Sequence, residues 1–72
     1  MTNTDLLMEY IQQSGYKIYH IASTLGLTSY GFMRKVHNKS DFKVPEMRAL
    51  CALLSISDGD REKIFFTEEV DE

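Results

Sequence analysis

A single cysteine, Cys51, in a chain of 72 residues is the tightest constraint on what this sequence can fold into. A domain this short buries only about 60% of the surface its unfolded chain exposes, so it needs staples or a compact, mostly helical core. One cysteine excludes an internal disulfide, so packing alone must hold the fold, and an unpaired thiol fits a reducing compartment. The opening "MTNTDLLMEY" has no basic stretch and no apolar run of signal-peptide length, and nothing later can span a membrane. The expectation is a soluble, cytosolic-type protein.

The pattern within the chain predicts helices. No stretch longer than a few residues alternates apolar with polar, whereas the 3.6-residue period recurs throughout. Thr2 or Thr4 can cap a first helix, Thr2 pairing with Asp5 in a capping box, with Leu7, Tyr10 and Ile11 on one face and Gly15 as its stop. In "KIYHIASTL", Ile18, Ile21, Ala22 and Leu25 form the stripe of a second helix that ends at Gly26. Thr28 caps a third, with Phe32, Met33 and Val36 as a shorter stripe and Asn38 in the left-handed turn that closes it. "NKSDFKV" reads as a loop. Pro45 opens a fourth helix, striped by Met47, Leu50, Cys51 and Leu54. Ser57 caps a short fifth that carries Ile64, Phe65 and Phe66 toward the core. "TEEVDE", residues 67–72, reads as an acidic disordered tail. The expected architecture is an all-α bundle of five short helices forming one domain over residues 1–66.

Charge is unevenly spread. Residues 1–15 carry two acids, residues 16–43 five bases against one acid (net +4), and residues 44–72 three bases against eight acids (net −5). Phosphate binding needs clustered cations, and only the middle third has them. His20 and His37 have no ligand spacing around them, so zinc is not expected. No glycine-rich phosphate loop, nucleophile elbow or framed carboxylate pair occurs, and the chain is too small to enclose a substrate pocket easily. The expectation is a binding protein with no catalytic residues, no cofactor and no small-molecule substrate.

In "IASTLGLTSYGFMRKVHNKS", several features agree in spacing: Ile21-Ala22, Leu25-Gly26-Leu27, Thr28, Phe32, and the ending Arg34-Lys35-Val36-His37-Asn38-Lys39. On these the chain resembles the helix-turn-helix of lambda-repressor-like (Cro/CI) regulators over roughly residues 16–56, with the helix-turn-helix itself at about 17–38. Taken whole, it is most similar to the modulator-of-repression antirepressors of temperate lactococcal phages. That resemblance implies a role in the genetic switch between lysis and lysogeny, exerted by binding the phage repressor and blocking its operator.

Two departures from DNA-reading relatives shape the expected site. Tyr30 and Met33 stand where polar base readers are usual, and Arg34 is the one strong base reader on the exposed face of the third helix. Tyr16, Tyr19 and Tyr30 exceed what so small a core requires, and aromatics are favoured at protein interfaces. The expected partner-binding residues are therefore Tyr16, Tyr19, Tyr30, Met33, Arg34 and His37. Met33 can equally turn inward as core. The alternative is a Cro-like operator binder using Lys17, Ser29, Arg34, Lys35 and Lys39 on DNA. Acids at both ends are expected to speed encounter with a repressor's basic face. Gly31 is expected to let the third helix pack on the second.

Overall fold

Five helices and no strand make up residues 1–66, the part of the chain that the computed structural model describes; the expected acidic tail lies outside the described residues. They are α1 (Thr4–Ser14), α2 (Ile18–Thr24), α3 (Ser29–Val36), α4 (Val44–Leu54) and α5 (Asp58–Phe65). Among the described residues, no helix is long and apolar enough to cross a membrane.

The helix boundaries follow local chemistry. Ser57 caps α5 by accepting from the Asp60 N–H at 3.1 Å. Glu46 accepts from the Lys43 N–H at 2.9 Å at the start of α4, half of a capping box, because the ammonium of Lys43 cannot accept in return. At α1 the structure corrects the sequence reading. Asn3, not Thr2 or Thr4, is the cap, its Oδ1 accepting from the Leu6 N–H at 3.2 Å.

The two threonines serve elsewhere. The Thr2 N–H donates to Asn38 Oδ1 (2.7 Å), Asn38 Nδ2 donates to the Thr2 carbonyl (2.9 Å), and the Thr4 hydroxyl donates to the Val36 carbonyl (2.6 Å). The start of the chain is thereby tied to the end of α3. Asn38 is left-handed (φ 64°), and the N–H groups of Asn38 and Lys39 reach back to the carbonyls of Lys35 and Arg34. That is the paired closure of a Schellman turn. The end of α2 closes in the same way on Gly26 (φ 76°), with the Gly26 and Leu27 N–H groups bonded to Ser23 and Ala22.

Leu7, Ile11, Ile21, Ala22, Phe32, Val36, Leu50, Leu54, Ile64 and Phe65 fill the centre, two from each helix. Two more core residues come from connections. Phe42, in the segment read only as a loop, lies edge-on to Phe32 and to Phe65, at centroid separations of 6.0 and 5.5 Å. Ile56 closes the turn after α4. Phe66, expected in the core, is 53% exposed instead. Cys51 is partly buried against the core, and burial pushes its thiol pKa up, so it packs as a small apolar group.

Candidate functional site

Thr28 fixes where α3 starts: its hydroxyl accepts from the Gly31 N–H at 3.0 Å. From that start, Phe32 and Val36 face the core. Tyr30, Arg34 and His37 share the opposite side of the helix, and Met33, spaced with them at i, i+3, i+4, i+7, lies on the flank between that side and the core. The Schellman turn at Asn38 then brings Lys39 back toward Arg34, with the Lys39 N–H donating to the Arg34 carbonyl at 2.8 Å. These five side chains line an open groove of about 320 Å³. The Arg34 guanidinium lies 5.9 Å from the centre of the Tyr30 ring, and its Nη2 donates to the Lys39 carbonyl at 3.4 Å. A cation over an aromatic face contributes about 0.5–1 kcal/mol at an exposed site, a bias toward this arrangement. Tyr30 is nonetheless 74% exposed, and Met33 is half-buried against the core.

Gly31 does not serve the packing expected of it. A Cβ there would meet only the Thr28 hydroxyl oxygen, at 3.1 Å, and no atom of α2. Its lack of a side chain leaves room for the cap, not for a neighbouring helix.

The electrostatics of this face are one-sided. No acid occurs between Glu9 and Asp41, so α2 and α3 carry no carboxylate. Lys17, Arg34, His37 and Lys39 are all exposed. Lys35, grouped with them from sequence, is engaged elsewhere: its Nζ is 2.7 Å from Glu46 Oε1 and 3.1 Å from the Asp41 carbonyl, with both charged side chains largely covered. Burial alone would raise the Glu46 pKa. The hydrogen bonds from Lys35 and the Lys43 N–H, with the charges of both lysines, outweigh it and hold the carboxyl below its usual range. Lys35 is therefore a strut from α3 to the start of α4.

The remaining expected residues do not line the groove. Tyr16 is 43% exposed and stacks at a tilt on His20, ring centres 4.9 Å apart, at the start of α2. Tyr19, one residue into α2, is 74% exposed. Lys17 is the N-cap of α2 without a side-chain capping bond, and Ser29 is half-buried at the first position of α3. The structure thus joins Lys39, assigned from sequence to DNA alone, with Tyr30, Met33, Arg34 and His37. Among the described residues, no group of three His, Cys, Asp or Glu is placed to hold a metal ion. No protein-family model, curated protein or solved structure matches the chain.

Proposed function

We propose that this chain is a phage antirepressor: a lambda-repressor-like helix-turn-helix domain, formed by α2, the Gly26 turn and α3, that binds the phage repressor and keeps it from its operator. One observation carries the reading. The outward stripe of α3 presents Tyr30 and Met33 beside Arg34 and His37, with Tyr30 74% exposed and its ring under the Arg34 guanidinium. Large, rigid, amphipathic area of this kind gains more against a protein surface than against phosphate. Tyr19, equally exposed on α2, extends the same chemistry along the chain. The exposed acids Asp5, Glu9, Asp58 and Glu62 stand on α1 and α5, outside the groove. At long range they attract a repressor's basic DNA-reading face; at contact Arg34 and Lys39 oppose it, so the affinity comes from the apolar area of Tyr30 and Met33. Occluding that face removes operator affinity by binding alone, which favours lytic growth in the genetic switch.

A second reading, a Cro-like repressor acting directly on operator DNA, is favoured by the acid-free span between Glu9 and Asp41 and by the exposed Lys17, Arg34 and Lys39. Lys35 adds little to it, because Glu46 already holds its ammonium. A gel shift of labelled operator, with and without the repressor, separates the two. The antirepressor reading expects the repressor's shifted band to disappear as this protein is added, and no band from this protein alone. A sequence-specific band from this protein alone at physiological salt would put the operator binder in its place.

A further inference from the structure

A second surface left open by the core lies on α4 and α5 and shares no residue with the α3 groove. Val44, Met47 and Arg48 from the start of α4 meet Arg61 and Phe66 around a hollow of about 140 Å³. Val44 is 59% exposed and Phe66 53%, among the largest apolar exposures in the domain. Aromatic and aliphatic area framed by arginine is the composition found at the centres of protein interfaces.

Charge narrows what can fill it. The chain has eleven acids against eight bases, yet Arg48 and Arg61 take part in neither ion pair, and in none of the side-chain hydrogen bonds, of the described residues. Two guanidinium groups line this one hollow, and each presents a fork of donors that matches a carboxylate. We propose that this hollow is a docking site for a partner-protein segment in which one large apolar side chain stands between carboxylates. The hollow admits a single anchor among Val44, Met47 and Phe66, and the flanking carboxylates accept from Arg48 and Arg61. A nucleic-acid backbone answers the arginines but brings no apolar group to cover Val44 and Phe66. The proposal does not rest on the antirepressor reading, and with the α3 groove it gives the chain two separate binding faces.

The test is a titration of the ¹⁵N-labelled full chain, followed by its amide spectra, with two short synthetic peptides. One carries leucine flanked by glutamates in a glycine–serine background; in the other, lysines replace the glutamates. The acidic peptide should shift the amides of Val44, Met47, Arg48, Arg61 and Phe66, and the basic peptide should not. The double variant R48Q/R61Q, changed only at exposed positions, should keep the wild-type spectrum elsewhere and bind the acidic peptide about fivefold more weakly. No shift at these residues, an equal response to the basic peptide, or undiminished binding by the double variant would overturn the proposal. So would shifts centred on Tyr30 and Met33, which assign acidic segments to the α3 groove. The same shifts appearing on raising the protein concentration alone, or on adding a DNA duplex, would give the hollow to a second copy or to phosphate instead.

Discussion

Replacing Phe42 by alanine asks whether a residue outside every helix holds this fold together. Its ring is 6% exposed and meets Phe32 and Phe65 edge-on, at interplanar angles of 67° and 82°. Truncating a buried phenylalanine to alanine costs about 3–5 kcal/mol. Each edge-to-face contact contributes about 0.5–1.5 kcal/mol of that beyond simple area burial. A domain of 72 residues has a total stability of about 4–11 kcal/mol, so Phe42→Ala should remove between about a quarter and all of it. Phe42→Leu keeps most of the apolar volume and loses the two ring contacts, for a smaller cost of about 1–2 kcal/mol. Urea unfolding followed by helical circular dichroism measures both. A Phe42→Ala loss under about 1 kcal/mol, the average for any point substitution, would refute the reasoning. So would a Phe42→Leu variant as damaged as Phe42→Ala.

Other consequences are smaller and independent. The Glu46 carboxyl titrates below its ordinary 4.5 in the folded state, so its stabilising contribution is complete above that pH and is lost as pH falls through the depressed value. Glu46→Gln should therefore cost about 1–2 kcal/mol at neutral pH and flatten the acid limb of the stability–pH curve; an unchanged acid limb would dissolve the strut. Gly31→Ala should gain up to about 1 kcal/mol in thermal or urea melts, because only the Thr28 hydroxyl needs to give way; a loss would mean that the cap cannot move. Binding to DNA through α2 and α3 should show a logarithmic salt slope no steeper than about −2.7, since Lys17, Arg34 and Lys39 are the exposed cations of those helices and their flanks. A slope near −5 would require Lys35 and further cations on the phosphates.

The helices were legible because each is bracketed by residues with one structural use. Gly15, Gly26 and Asn38 adopt positive φ, Thr28 and Ser57 cap, and Pro45 sits in a first turn where no N–H is missed. The stripes through Ile21-Ala22 and Phe32-Val36 followed from the helical period. What escaped the sequence was set by contacts between distant segments. Phe42 and Ile56 are core residues on irregular backbone, where no period marks the inward side. Asn3 outcompetes Thr2 and Thr4 as a cap because both threonines are drawn to the end of α3, 32 to 36 residues away. Lys35 looked like a DNA contact until the chain brought Glu46 beside it. In the site, the composition of the α3 stripe was readable, but the exposure of Tyr19 and Tyr30 was not. It depends on how the other helices rotate α2 and α3 about their axes.

Titration calorimetry of the purified repressor with this protein, wild type against Tyr30→Ala, tests the proposal that the α3 groove binds the repressor. The Tyr30 ring is 74% exposed and touches no core, so the variant should keep the wild-type helix content and unfolding midpoint. If Tyr30 is a hot spot of the interface, its loss should weaken repressor binding by about 1–3 kcal/mol, a factor of roughly five to 150. A repressor that gives no heat of binding with the wild-type protein, or that binds the folded Tyr30→Ala variant as tightly, would contradict the assignment of the α3 groove as the repressor-binding face.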